Sequence, residues 1–136
     1  MPSHVKAVLD RTVPLVQMRM TKEDGGRIRH ETLSDFSHIH TVVISGCGFP
    51  NWEGNFDPLR IMCQNSFRDP TIVCVPEAPL FNIPEATIVA EPRLRQFEEA
   101  GAEYARSLNL LPNTIAQLES PMIPAEAYLR GVNEAE

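Results

Sequence analysis

The pattern of apolar and polar residues predicts alternating strands and helices in the middle of the chain. Residues 41–45 (TVVIS) and 71–75 (TIVCV) are short runs rich in β-branched side chains, typical of strands covered on both faces of a parallel sheet. Between them, Asp57 is a predicted helix cap with Pro58 at the first helical position. Apolar residues recur there at helical spacing: Phe56, Leu59, Met62, Cys63 and Phe67. This order predicts two parallel strands joined by a right-handed crossover helix.

The first forty residues contain a predicted helix and a predicted hairpin. Ser3 is a candidate N-cap for a helix that Pro14 ends. Residues 16–33 then alternate between apolar and polar side chains on both sides of a turn. The turn residues, which supply the positive φ values of a tight hairpin, are Asp24, Gly25 and Gly26.

Prolines mark the predicted helices of the second half. Pro92 is the predicted first residue of the longest helix, whose apolar side includes Phe97 and Tyr104. Pro112 and Pro124 begin two shorter helices. The order of elements predicts an α/β fold, and a length of 136 residues predicts one domain spanning residues 1–136.

Composition narrows the classes of function. The apolar runs are too short to cross a bilayer, and the N-terminus lacks the apolar stretch of a secretory signal, so we expect a cytoplasmic protein with no membrane partner. Three cysteines without a CxxC spacing argue against structural zinc and disulfides. A net charge of −6 makes nucleic acid an unfavourable partner.

The loop after the first predicted strand is the main candidate site. Residues 45–49 read Ser-Gly-Cys-Gly-Phe, and glycines at the carboxyl end of a strand let the backbone approach a planar ligand. The alternative is a tight turn between strand and helix, with Phe49 packed in the core. Cys47 is a candidate nucleophile, but no histidine that could act as its base is near it in the sequence.

Two other groups of residues have both a functional and an ordinary interpretation. His38 and His40 are spaced to lie on one face of a strand. They are either two ligands of a metal site for which the sequence marks no third ligand, or two solvated histidines at the entrance of a strand. The basic side chains of the hairpin either meet the 2′-phosphate of NADPH or form an ordinary exposed face; they are Arg19, Lys22, Arg27 and Arg29.

Three segments resemble one known family. "MPSHVKAVLDRTVPLV" resembles the helix after the third strand of flavodoxin-like, NAD(P)H-dependent FMN reductases of the multimeric-flavodoxin type, and "VVISGCGFPN" is similar to the fourth strand and flavin-facing loop of that family. "EEAGAEYARSLNL" followed by "PMIPAEAYLRGVN" resembles the last helix and tail. The likeness is to the C-terminal half of the family and extends from about Pro2 to Asn133.

The resemblance implies an incomplete flavodoxin-like three-layer fold, with two parallel core strands and a hairpin flanked by helices. It implies the ring-facing half of an FMN-binding oxidoreductase of the flavin or quinone reductase type, with NAD(P)H as a partner. The residues that would face the isoalloxazine ring are Ser45, Gly46, Cys47, Gly48 and Phe49, with Phe49 or Trp52 as cover. The family's phosphate-binding loop has no counterpart here and would lie before Met1. The alternative is a non-enzymatic oligomerisation or interaction domain left from a truncated or split flavoprotein.

The family's strand order also predicts an association. It would leave the strand at residues 41–45 without a neighbour on one side, and a bare apolar edge recruits a partner. We therefore expect a homo-oligomer, or a complex with the missing N-terminal half.

Overall fold

The computed structural model describes residues 3–23, 25–51 and 53–134. Over these residues the chain is a mixed α/β protein with five α-helices and two sheets of two strands each. The chain divides into two compact units, Met1–His40 and Thr41–Glu136. The prediction of a single domain therefore stays a prediction.

The first unit is a helix followed by a β-hairpin. Helix α1 spans Ser3–Thr12, a 3-10 turn spans Val13–Leu15, and strands β1 (Val16–Lys22) and β2 (Ile28–Thr32) pair antiparallel. The hairpin prediction is confirmed, with φ values of 87° and 85° at Gly25 and Gly26. Asp24 lies outside the described residues. No described residue of this unit is buried, and Met18 is 90% exposed, so the unit has no hydrophobic core within its own described residues.

The second unit contains the predicted parallel pair. Strand β3 (Val42–Gly46) lies beside β4 (Thr71–Val75), and helix α2 (Asp57–Ser66) connects them. The strand-helix-strand prediction is confirmed. Helices α3 (Thr87–Ser107), α4 (Pro112–Glu119) and α5 (Ala125–Asn133) follow. The segment between β4 and α3 forms two 3-10 turns, Ala78–Asn82 and Pro84–Ala86.

Strand β4 is the centre of the core. Side chains alternate between the two faces of a strand, so each face of β4 packs against a different layer. One face, with Ile72 and Cys74, packs against the apolar stripe of α2 that the sequence predicted. The other face, with Val73 and Val75, packs against side chains of α3, α4 and the loops beside them: Phe81, Phe97, Ala100, Tyr104, Leu110, Ile115 and Leu118.

Strand β3 is not covered on both faces as predicted. Val43 packs against the α2 layer, but Val42 is 39% exposed and Ile44 is 60% exposed. The register aligns Ile44 with Val73, so these exposed side chains lie on the side of the sheet that carries α3 and α4. The prediction was wrong because those helices cover β4 and leave the same face of β3 open.

Two helix starts also differ from the predictions. Asp57 is the first residue of α2 rather than its cap, because Phe56 holds the cap position with an αR backbone and no side-chain hydrogen bond. Helix α3 begins at Thr87, and Pro92 lies inside it instead of opening it. An internal proline removes one backbone hydrogen bond, and here the unpaired carbonyl belongs to Ile88, a residue that is 82% exposed and therefore open to water. Within the described residues, no helix has both the length and the apolar character needed to cross a membrane.

Candidate functional site

The predicted site residues lie together where β3 ends. Ser45 and Gly46 are the last residues of β3, and Cys47, Gly48 and Phe49 form the turn that follows. This turn is at the carboxyl end of the parallel pair, where open α/β sheets bind ligands. Ser45 and Cys47 are partly buried, whereas Gly46, Gly48 and Phe49 are exposed.

Hydrogen bonds fix the turn to the end of β4 and to α5. Cys47 N–H donates to the carbonyl of Val75 at 3.0 Å, and Cys47 C=O accepts from Ala78 N–H at 2.9 Å. Glu77 N–H donates to the carbonyl of Phe49 at 2.9 Å. The Tyr128 hydroxyl donates to the carbonyl of Gly48 at 2.8 Å. The carbonyls of the three consecutive turn residues therefore all accept hydrogen bonds from other parts of the protein, and these bonds hold the turn in one conformation.

Gly46 is required by the protein's own packing. A Cβ atom at this position would lie 2.6 Å from the Cβ of Ala78, far inside van der Waals contact. Gly48 is different, because a Cβ there would have Pro79 Cγ as its nearest neighbour at an ordinary 3.7 Å. The absence of a side chain at Gly48 thus leaves open surface that the packing does not need.

Two backbone donors of the turn have no acceptor among the described residues. Within the described part of the chain, neither the N–H of Gly48 nor that of Phe49 has a hydrogen-bond acceptor. The side chain of Phe49 is 57% exposed, so the alternative in which it packs in the core is wrong. Two adjacent N–H groups beside an exposed aromatic ring suit a flat ligand with carbonyl oxygens. Trp52, the other predicted cover, lies outside the described residues.

The thiol of Cys47 has only weak partners. Its Sγ atom lies 3.8 Å from the carbonyl oxygen of Phe49 and 3.9 Å from that of Asn51. Both contacts are with backbone acceptors and provide no base. The described surroundings of Cys47 therefore give no support to the nucleophile interpretation.

A buried carboxylate lies behind the turn, at Glu77. This residue is 0% exposed and has a left-handed backbone with φ 55°. Its Oε2 atom accepts from the N–H groups of Met122 and, at 3.3 Å, Ile123. Its Oε1 atom is buried and has no partner among the described residues. Burial raises the pKa of Glu77, although the two backbone hydrogen bonds and the charge of Arg93 act in the opposite direction.

The guanidinium of Arg93 is buried beside the same segment. Arg93 is 5% exposed, and it donates to the carbonyl of Leu118, to the carbonyl of Ser120 at 2.8 Å and to the Ser120 hydroxyl at 3.1 Å. These bonds satisfy carbonyls at the end of α4 that the helix itself leaves unpaired. Burial lowers the pKa of Arg93, and Glu77 opposes that shift. Glu77 and Arg93 together anchor residues 118–123.

Tyr128 connects α5 to the turn. It is 5% exposed, and burial raises the pKa of its phenol, with smaller contributions in the same direction from Glu77 and Cys47. A neutral phenol is the form that donates to the carbonyl of Gly48. The upward shift of the pKa favours this donating form.

A second ionic group covers the outer edge of β4. Glu119 Oε1 accepts from Arg60 Nη2 at 2.5 Å and from the backbone N–H of Cys74 at 2.9 Å. The Cys74 N–H points away from β3, so the carboxylate takes the place of the missing neighbouring strand. The pKa of the Cys74 thiol is raised to about 11, mainly because the thiol is buried.

The sequence analysis did not identify the buried charges as part of the site: Glu77, Arg93 and Glu119. The one available signal was the position of Glu77, between two prolines and directly after a buried strand. Arg93 is one of several charged residues of α3, and Glu119 is the last residue of α4; nothing in their spacing distinguishes them. The hydrogen bond from Tyr128 to the turn was not predicted either.

The remaining candidate groups give little support to a functional interpretation. His38 lies in a turn and His40 in irregular backbone, so the prediction that they share the face of a strand was wrong. Among the described residues, no group of three potential ligands could hold a metal ion. On the hairpin, Arg19 and Arg29 form ion pairs with Glu31 and Glu23.

Comparison of the chain with protein-family models, curated proteins and solved structures finds no match.

Proposed function

We propose that this chain has a flavodoxin-like fold and forms the ring-facing wall of an FMN site in an NAD(P)H-dependent oxidoreductase. The observation that carries the proposal is the pair of unpaired N–H groups at Gly48 and Phe49, within the described part of the chain, at the carboxyl end of two parallel strands. The resemblance of "VVISGCGFPN" to the flavin-facing loop of the FMN reductases supports it.

The turn is chemically suited to the isoalloxazine ring. The two N–H groups can donate to carbonyl oxygens on the pyrimidine edge of the ring, and the exposed face of Phe49 can cover its apolar surface. When bound, FMN supplies hydride transfer, and this chain supplies orientation and backbone dipoles. The hydrogen bonds to Val75, Ala78 and Tyr128 hold those dipoles in place before the ligand arrives.

The FMN phosphate needs residues other than the helix that follows this turn. Helix α2 begins with Asp57, and Pro58 in its first turn has no N–H to donate. A carboxylate at a helix N-terminus repels a phosphate. The proposal therefore assigns the ring, and not the phosphate, to this chain.

Titration with FMN tests the proposal. We expect quenching of flavin fluorescence with half-saturation at tens of micromolar or below, about −6 kcal/mol of binding free energy. Gly48→Ala should weaken binding at least about tenfold, because the methyl group blocks the close approach of the ring while meeting only Pro79 at 3.7 Å. Gly131→Ala is the matched control, since a Cβ there meets nothing within 4 Å. Absence of quenching by the wild-type protein, or equal binding by Gly48→Ala, would contradict the proposal.

A second candidate function is an interaction domain without a cofactor. It is favoured by the first unit, in which no described residue is buried and Val8 and Ile28 are 62% and 65% exposed. Coexpression with the product of an adjacent reading frame would separate the candidates. A stable complex that binds FMN supports a split oxidoreductase, and a stable complex that does not bind FMN supports the interaction domain.

A further inference from the structure

The two peptide groups of the turn whose N–H donors lack a described acceptor are held by different kinds of bond. In a trans peptide group the C=O and the N–H point in opposite directions, so the partner of the carbonyl sets the direction of the N–H. The Cys47–Gly48 group is held by main chain, because the carbonyl of Cys47 accepts from Ala78 N–H at 2.9 Å. The Gly48–Phe49 group is held by a side chain, because the carbonyl of Gly48 accepts from the Tyr128 hydroxyl at 2.8 Å.

The bond from Tyr128 selects one direction for a peptide group that is otherwise little restricted. Within the described chain, this hydroxyl is the one partner of the Gly48 carbonyl. Gly48 is exposed, and glycine adopts positive and negative φ with similar ease. Loss of the hydroxyl therefore frees the N–H of Phe49 to point elsewhere and leaves the N–H of Gly48 in place.

The position of the Tyr128 phenol is fixed from behind the turn. Glu77 donates its backbone N–H to the carbonyl of Phe49, and its Oε2 atom accepts from the N–H groups of Met122 and Ile123. One buried residue thus holds both the end of the turn and the segment directly before α5. The phenol approaches the turn from a segment that is fixed to the same residue.

Tyr128 is also the main attachment of α5 itself. It is the one buried residue of this helix, whereas Leu129 and Val132 are 50% and 54% exposed. A helix with one buried side chain gains little from its other contacts, so its docking depends on that side chain. The docking of α5 and the direction of the Phe49 N–H therefore share one bond.

We propose that Tyr128 is a positioning residue of the ligand-facing turn, whose hydroxyl directs the N–H of Phe49 toward the ring only while α5 is docked. Binding of the ring and docking of α5 then favour each other, since the coupling between two sites is reciprocal. The effect on FMN binding rests on the proposed function, whereas the direction of the peptide group does not.

Titration of two tyrosine variants with FMN tests the positioning role. Tyr104, the other tyrosine of the chain, packs against the core layer of α3 and α4, and its hydroxyl has no hydrogen bond among the described residues. We expect Tyr128→Phe to raise the dissociation constant for FMN at least about fivefold through the loss of one hydrogen bond. Tyr104→Phe is the matched control and should change it by less than about twofold. Equal dissociation constants for wild type and Tyr128→Phe would overturn the positioning role and leave the proposed function standing.

The amide nitrogen resonance of Phe49 tests the same role in the protein without FMN. This nitrogen and the carbonyl of Gly48 belong to one peptide group, so the resonance reports on the bond from Tyr128. We expect Tyr128→Phe to move it and Tyr104→Phe to leave it in place. An unmoved resonance in Tyr128→Phe would overturn the proposal. Failure of the wild-type protein to bind FMN would refute the proposed function, and the resonance would still decide the role of Tyr128.

Amide hydrogen exchange of α5 tests the coupling, which a merely structural tyrosine would not produce. At saturating FMN, exchange of residues 125–133 should slow at least about fivefold in the wild-type protein and in Tyr104→Phe. In Tyr128→Phe at saturating FMN, exchange of the same residues should stay at its rate without ligand. Equal slowing in all three proteins, or no slowing in the saturated wild type, would contradict the coupling.

Discussion

Replacing Gly46 by alanine tests whether the turn after β3 is shaped by the protein's own packing. The new Cβ atom would lie 2.6 Å from the Cβ of Ala78, and an ordinary contact begins near 3.4 Å. The two segments must therefore separate by about 0.8 Å. That movement also strains the hydrogen bond from Ala78 N–H to the carbonyl of Cys47, now 2.9 Å long.

The expected cost follows from these two effects. Overpacking a core by one methyl group costs about 1–3 kcal/mol, and a weakened hydrogen bond costs up to about 1 kcal/mol more. We expect Gly46→Ala to lower the free energy of unfolding by about 2–3 kcal/mol. Ala78→Gly alone should cost about 1 kcal/mol through backbone entropy. The double variant should cost less than the sum of the two by at least about 1 kcal/mol, because Ala78→Gly removes the atom that the new methyl group meets.

Urea denaturation measures all of these variants on one scale. The midpoint should fall while the slope with urea stays constant, which identifies a change in stability and not in compactness. Gly48→Ala is the control, because its Cβ would lie 3.7 Å from the nearest atom of the protein, and it should change stability by less than about 0.5 kcal/mol. Additive effects of Gly46→Ala and Ala78→Gly would refute the packing argument.

Three further predictions concern the buried polar groups. Glu119→Ala should destabilise the protein by about 2–4 kcal/mol in urea, because it removes the acceptor of both Arg60 and the Cys74 N–H. Glu119→Gln keeps an acceptor oxygen without the charge and should cost about half as much; equal costs of the two variants would show that this acceptor contributes nothing. The raised pKa of Glu77 means that the folded state binds this proton more tightly than the unfolded state does. The loss of folding free energy caused by ionising Glu77 is therefore absent below its ordinary pKa of 4.5, and it grows as pH rises through the folded-state pKa. Glu77→Gln should therefore gain stability relative to wild type between pH 4.5 and 8 in thermal melts, and a constant difference across that range would contradict the shift. Native labelling with a thiol reagent at pH 8 should modify Cys47 first, because Cys63 and Cys74 are buried and burial raises both thiol pKa values; early labelling of Cys74 would contradict its buried position.

Local patterns predicted most of the elements correctly. Strand β4 has the predicted bounds, Thr71–Val75, and the apolar stripe of α2 packs as its spacing indicated. The hairpin turn at Gly25 and Gly26 also followed from the sequence, since glycine adopts positive φ at low cost. These features depend on residues that are close along the chain, and local propensity and periodicity report on them directly.

Helix ends and exposure were less predictable. Pro92 is a favourable first residue of a helix, yet α3 begins five residues earlier, at Thr87. Ile44 belongs to a β-branched run of the kind found in buried strands, yet it is 60% exposed. A run of apolar residues indicates that a strand needs cover, but it does not show which neighbour provides that cover.

The sequence indicated that a strand rich in β-branched residues ends at a turn that contains glycine, close to Gly46. The folded structure was needed to show that Ala78 excludes a side chain at Gly46, that packing leaves room for one at Gly48, and that Tyr128 of α5 donates to the Gly48 carbonyl. The same is true of Glu77, which binds Met122 and Ile123, residues 45 and 46 positions away in the chain. The physical reason is that burial and hydrogen bonding depend on atoms brought together by folding, whereas sequence patterns record only the preferences of neighbouring residues.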